Sequence, residues 1–323
     1  MQKATAVISL NAIEKNARFV RSLIGDKKFY AVVKANAYGH GAEEVALRLE
    51  NIVDGFCVAI NSEGAALRVA GVSKPVLVFT PPLSEEDAEE ADYYNLTVTV
   101  NGERAARLAK NLPCHIKVNT GMNRVGCDIS ELTKVLSLLD KNLVNGIYSH
   151  MYAPADRKSV REQLGIFKQA VALAKAINPE ATAHISSSAG VLSGSEYLFD
   201  GARVGILLYG YPPAGFTATV TPAMQVYAPL VQSTDPCGHG AGYMRTTAVY
   251  SRLYTYRYGY ADGLPRVSKL GESPLCMDGF VSDSGGDMRC VLADAQKIAA
   301  DCGTISYEIL CRAAGRCEKI YER

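Results

Sequence analysis

The chain has 323 residues, 48% of them apolar, enough for two domains or for one barrel with an appendage. Its formal net charge of +1 gives no reason to expect nucleic acid or an anionic membrane as partner, and no apolar run approaches the about 20 residues of a membrane helix. Nine cysteines, scattered without a C-x-x-C pair, argue against a disulfide framework and a zinc site, and with a start (MQKATAVISLNAIEKN) that lacks a signal-peptide apolar core they lead us to expect a cytoplasmic, metal-free protein.

The first strong element is FYAVV, residues 29–33, which runs straight into Lys34 and then the loop ANAYGHG. A continuous apolar run suits a strand covered on both faces. A lysine at its end is costly to bury as a cation, but cheap if neutral or used up as an imine. It reads either as a snorkelling strand-end lysine or as a Schiff-base lysine for a carbonyl cofactor. Further apolar runs follow: GFCVA (55–59), PVLVF (75–79), LTVTV (96–100), HIKV (115–118), NGIYS (145–149) and ATAHI (181–185), with a weaker one at Ala202 to Gly205. Helical segments such as AEEVALRLE, GERAARLAK and REQLGIFKQAVALAKAI alternate with them. Eight strand–helix units over residues 11–214 predict a (β/α)8 TIM-type barrel. A doubly wound open sheet competes, but AYGHG lacks the spacing of its glycine fingerprint.

Residues 207–222, rich in Gly, Pro and Thr, read as a linker. The remainder, 215–323 together with 1–10, is expected to be a second, mostly β domain. There AVYSRLYTYRYGY (248–260) alternates as an antiparallel strand, VLADAQKIAADCG reads as one helix, and ISYEILCRAAG reads as strand.

Lys34, Lys117, His150, His184 and Arg203 all fall in or just after predicted strands, and Arg124 falls in the turn-rich loop NTGMNRVG. On the C-terminal face of a barrel they would converge, and that many cations would call for an anionic ligand. The run SSSAG (186–190) could open a short helix and, with Gly205 after Arg203, cradle a phosphate; serine clusters are also ordinary loops and caps. Tyr260, in YGYADG, could act as a base beside a cation or serve only as a packing tyrosine.

In order along the chain, AVVKANAYGHG, KVNTGMNRVG, SHMYAPAD, HISSSAG, ARVGILLYG, GYADGLPR, CMD and GTISYEILC resemble the alanine racemase family, fold-type III pyridoxal-phosphate enzymes. The resemblance implies pyridoxal 5'-phosphate linked to Lys34, with Lys34 and Tyr260 of a partner subunit as the two acid–base groups at Cα. It implies Arg203 facing the pyridine nitrogen, His184 orienting Arg203, and His150 supporting Tyr260. Arg124 would bond the cofactor phenolic oxygen and the substrate carboxylate, positioned by a carbamylated Lys117. Phosphate would be held by Tyr38, Ser188, Gly205, Ile206 and Tyr307. Met277 and Asp278 would line the entrance from the partner, and Thr5 to Ser9 would join the C-terminal β domain. A homodimer with shared active sites, acting on alanine and supplying D-alanine for peptidoglycan, is the implied biology. A racemase of another small amino acid such as serine, or a non-catalytic pyridoxal-phosphate-binding protein, would share much of this pattern. The chain departs from the family at Asn119, usually aspartate, and Ser187, usually asparagine. It is also short between GYADG and CMD and between CMD and SYE.

Overall fold

A computed structural model describes residues 3–323, so the first two residues of the segment expected to join the second domain lie outside the described residues. The strands are β1 (Thr5–Ser9), β2 (Lys28–Val32), β3 (Gly55–Val58), β4 (Val76–Val78), β5 (Val98–Val100), β6 (Cys114–Lys117), β7 (Val144–Tyr148), β8 (Thr182–His184) and β9 (Gly201–Val204). After them come β10 (Met224–Thr234), β11 (Gly240–Ala241), β12 (Met244–Arg245), β13 (Leu253–Tyr256), β14 (Phe280–Ser282), β15 (Met288–Leu292) and β16 (Glu318–Glu322).

Strands β2 to β9 are all parallel and alternate with helices, in two runs ordered β4-β3-β2-β9 and β5-β6-β7-β8. Bridges Leu77↔Thr97 and Ser186↔Ala202 join the two runs at both seams, so the sheet closes into a barrel. Because side chains alternate along a strand, one face of each strand packs on the helices and the other fills the barrel. The inward set here is largely polar: Tyr30, Thr99, His115, Lys117, Tyr148, His184 and Arg203, all less than a tenth exposed. A polar barrel interior must be paired internally, and the pairs it makes form the site described below.

The mostly β remainder is a mixed sheet ordered β14-β13-β10-β1-β16, with β15 also on β10. β1 lies between β10, antiparallel, and β16, parallel, so Thr5–Ser9 is a strand of that sheet rather than of the barrel. A register shift between Leu230 and Gln232 bends the long strand β10, which pairs β1 and β15 with its first half and β13 with its second.

Four expectations fail locally. ISYEILCRAAG is not a strand: Ser306–Ala313 is helix, burying Ile309, Leu310 and Ala313 at helical spacing. The helix expected over VLADAQKIAADCG begins only at Ala295, where Asp294 caps it by accepting from the Gln296 and Lys297 amides; Val291 and Leu292 belong to β15. Of 248–260 only Leu253–Tyr256 pairs as strand, with β10 and β14, because the residues before it have no neighbouring strand to bond. The linker expected at 207–222 starts inside the core, where Leu207, Leu208 and Tyr209 form a fully buried 3-10 turn and the Tyr209 hydroxyl donates to the Val32 carbonyl at 2.8 Å. Among the described residues no helix is long and apolar enough to cross a membrane, and all nine cysteines are unpaired.

Candidate active site

A cavity of about 690 Å³ opens at the C-terminal end of the barrel strands. It is lined by Lys34, Tyr38, Lys117, Arg124, His150, Ser188, Arg203, Gly205, Ile206 and Tyr307 among others, and among the described residues no carboxylate lines it. The sequence positions that bring three of the four cations together are legible in the alternation. Val32 and Lys34 share the inward face of β2 and its extension, His115 and Lys117 that of β6, and Arg203 and Gly205 that of β9.

Directly after Lys34 the backbone makes a left-handed turn. Ala35, Asn36, Ala37 and Tyr38 all have φ of 52° to 53°. For residues with a Cβ this conformation costs about 1–2 kcal/mol each. It is held by hydrogen bonds from the Ala37 amide to the Val33 carbonyl (2.8 Å), from the Ala35 amide to Glu63 (2.7 Å), and from the Ala42 amide to the Asn36 side chain (2.8 Å). The His40 Nδ1–H donates to the Ala37 and Tyr38 carbonyls at 3.0 and 3.1 Å. The turn swings the Tyr38 ring back under the cavity, 4.8 Å from the Tyr209 ring and 5.9 Å from the Tyr307 ring.

Arg124 is carried differently. The Asn119 Oδ1 accepts from the Gly121 and Asn123 amides, each at 3.1 Å, and its side-chain NH2 donates to Asp128 at 3.1 Å. Asparagine thus supplies here the amide-accepting oxygen that an aspartate would. The loop stays exposed and Arg124 reaches the cavity from its rim.

Arg203 is the most deeply set of the cations, 4% exposed. Its Nη1 donates to His184 Nδ1 (2.7 Å) and the His184 carbonyl (2.9 Å), and its Nη2 to the Ser149 carbonyl (2.6 Å). Its guanidinium carbon sits 4.9 Å from the centre of the Tyr148 ring, and Lys117 Nζ sits 5.4 Å from the same centre. Burial, then Arg124, lowers the Lys34 pKa. Burial, then the neighbouring cations Arg203, Arg124 and Lys34, lowers Lys117 to about 8. Burial, with Arg203, Lys117, Arg124 and Lys34 around it, holds His150 down to about 3, so that imidazole is neutral. Burial chiefly, with Tyr307 next, raises the Tyr38 phenol well above its ordinary value.

The remaining expected residues lie elsewhere. His184 does not line the cavity but stands behind Arg203, fully buried. Tyr260 and Met277 are 38% and 54% exposed and do not line the cavity of their own chain. They sit together, since the Tyr260 amide donates to the Cys276 carbonyl and the Ala261 amide to the Met277 carbonyl, both at 3.0 Å. Asp278, exposed beside them, binds Arg316 at 2.8 Å.

Sequence reasoning missed Tyr148, Phe79 and Cys311, all of which line the cavity. Tyr148 could have been found, because it lies two residues before His150 on the same strand face. Cys311 was hidden by reading its segment as strand, which would hold it about 13 Å from Tyr307 along the chain. On the helix it stands four residues after Tyr307, and i and i+4 share one face.

Residues 8–213 match the family described as alanine racemase, N-terminal domain. The alanine racemase of Carboxydothermus hydrogenoformans is 34% identical over 373 aligned residues, covering 99% of this chain and 100% of that relative. The alanine racemase of Streptococcus uberis is 33% identical over 362 residues, 98% of this chain and 97% of the relative. The solved alanine racemase of Clostridium difficile superposes with a TM-score of 0.89 over 99% of this chain and 96% of that one, at 26% identity. Both sequence alignments are longer than the 323-residue chain, so several dozen positions of these relatives have no counterpart in it.

Proposed function

The chain belongs to the alanine racemase family, and we propose that it interconverts L- and D-alanine with Lys34 and a second copy's Tyr260 as the two proton-carrying groups. The observation that carries this reading is Lys34, its pKa lowered, on the wall of a cavity lined by three further cations and, among the described residues, no carboxylate. Such a lining fits a phosphorylated carbonyl compound with an amino-acid carboxylate, and pyridoxal 5'-phosphate is that compound in this reading. The glycine at 205 supports it. A Cβ there would stand 2.6 Å from the Tyr38 hydroxyl and fill the space where phosphate would rest. Tyr38, Ser188, Gly205, Ile206 and Tyr307 would hold the phosphate end. Bound there, the cofactor supplies a conjugated system that accepts electrons from Cα of the amino acid.

The chain's own residues supply the rest. Lys34 Nζ carries a proton to and from one face of Cα, and the Tyr260 hydroxyl carries it on the other. A single base would return the proton to the face it left, so inversion needs the pair. Arg203 keeps its proton under any ordinary condition, so it would not protonate a cofactor ring nitrogen held against it. Arg124 would clamp the substrate carboxylate, and Met277 and Asp278 of the second copy would line the approach. Neutral His150 offers a polar partner to the incoming Tyr260. Burial and the neighbouring cations, which lower Lys117 to about 8, favour its neutral amine. That neutral amine can add carbon dioxide and lose a proton, and the resulting carbamate would replace one cation by an anion beside Arg124. The homodimer, a cytoplasmic location and a role in supplying D-alanine to peptidoglycan belong to the same proposal.

The deciding variant is Lys34→Ala. It should lose both the visible band that borohydride bleaches in the wild-type holoenzyme and the appearance of D-alanine from L-alanine on chiral chromatography. Retained racemisation would overturn the assignment.

A further inference from the structure

Behind Arg203 the hydrogen bonds continue through the barrel to its opposite end, and no step above uses the last member. His184 takes the Arg203 Nη1 bond on Nδ1, and its Nε2 lies 2.8 Å from His115 Nδ1. A guanidinium can only donate, so His184 Nδ1 must accept. The single ring proton of His184 is then on Nε2, where it donates to His115 Nδ1. His115 in turn must carry its proton on Nε2. A second proton on either ring would set a donor against a donor. In agreement, burial and then Arg203 hold His115 down to about 3 and His184 well below its ordinary value.

We infer that His115 is a positioning residue for the racemisation, anchoring the Nε2–H of His184 so that the ring keeps its Nδ1 lone pair aimed at Arg203 Nη1. Two features of the fold make room for this. Gly146, inward-facing on the neighbouring strand β7, leaves the space the imidazole occupies: a Cβ there would stand 2.7 Å from both Cε1 and Nδ1 of His115. A separate cavity of about 130 Å³, lined by Leu77, Thr97, His115, Asn145 and Thr182 among others, adjoins the ring and gives it room. Without an acceptor at His115, the buried Nε2–H of His184 has no partner. The ring can then turn to seek another acceptor, and its Nδ1 lone pair leaves the line to Arg203 Nη1. The catalytic consequence rests on the role proposed above for Arg203; the tautomer assignment does not.

The test uses holoenzyme labelled with 15N-histidine, in wild-type, His115→Gln and His115→Leu forms. The nitrogen shifts should show His184 protonated at Nε2 in the wild type and in His115→Gln, whose side-chain carbonyl can accept the same bond. In His115→Leu the kcat should fall about tenfold, the size of one lost hydrogen bond, with KM for alanine and cofactor content held. His115→Gln should recover most of that loss, which a merely space-filling role would not predict. If His115→Leu does not fold, Gly146→Ala crowds the same ring and should give the same kcat loss. A wild-type His184 protonated at Nδ1 overturns the inference, and so does a His115→Gln variant no more active than His115→Leu. Correct tautomers with an unchanged kcat in His115→Leu would refute the positioning role and leave the Lys34 assignment standing.

Discussion

The two groups proposed to carry the proton are placed by opposite means. Lys34 stands at the end of a buried strand, in a closed barrel whose inward residues bond one another. Tyr260 stands outside the barrel, 38% exposed, at the start of a single 3-10 turn (Tyr260–Asp262) between strands β13 and β14. What substitutes for a strand there is one carboxylate. Asp262, 1% exposed, accepts from Arg257 at 2.8 and 3.0 Å, from Arg316 at 3.0 Å, and from the Gly259 amide at 2.8 Å. Hydrogen bonds to Asp262 and then Asp278 raise the Arg316 pKa above its already high value. A barrel fixes geometry through many shared backbone bonds. A short loop can reach similar definition only through a few charge-assisted ones, so its precision hangs on single residues.

The comparison can be broken at its exposed end. Tyr260→Phe removes the phenol and keeps the ring. It should slow exchange of the Cα hydrogen of L-alanine in deuterated water by about 10²–10⁴-fold, while exchange from D-alanine falls less. Equal losses for the two enantiomers would deny Tyr260 a face of its own.

Asp262→Ala tests the clamp. It leaves the Gly259 amide without its acceptor and should cost about 1–3 kcal/mol in urea denaturation. It should also lower kcat while leaving the borohydride-sensitive band of Lys34 intact. Loss of that band would show that the two regions are not independent.

A smaller effect sharpens the contrast from the barrel side. Three fully or nearly fully buried histidines, His40, His115 and His184, all belong to the barrel half, whereas the one histidine of the second half, His239, is exposed. Burial lowers His40 to about 4 and His115 to about 3. The folded barrel therefore binds fewer protons than the unfolded chain between about pH 6.5 and those values, so stability rises with pH across that window and is lost as pH falls. His40 and His115 should each withdraw on the order of 1–2 kcal/mol between pH 7 and pH 5, above the range where most carboxylates titrate. Urea midpoints followed by circular dichroism at pH 7, 6 and 5 would show it. An unchanged midpoint would mean that these imidazoles already find proton partners in the fold.

The barrel half was largely legible because its signal is local. Apolar runs of strand length, separated by amphipathic helices, give strands within a residue or two of those observed. Strand-end position alone puts Lys34, Lys117 and Arg203 at one end of the barrel. The second half was less so. ISYEILC satisfies a strand's composition as well as a helix's, and only its packing against the left-handed turn and the core makes it a helix that turns Tyr307 and Cys311 together toward the cavity. The left-handed turn itself carries no residue that demands it, since alanine, asparagine and tyrosine enter it only because neighbouring groups pay its strain.

By itself, then, the order of residues determined the parallel barrel, the strand-end placement of the cations and the family, since each follows from periodicities and motifs read within a few dozen residues. Tertiary structure decided which groups meet. The bond from Arg203 to His184, and from there to His115 across 69 positions, exists only because three strands close around a common axis. The exposed setting of Tyr260 is likewise fixed by backbone bonds to a segment sixteen residues away. Hydrogen bonds and burial act through space, and the sequence specifies those distances only through the whole fold.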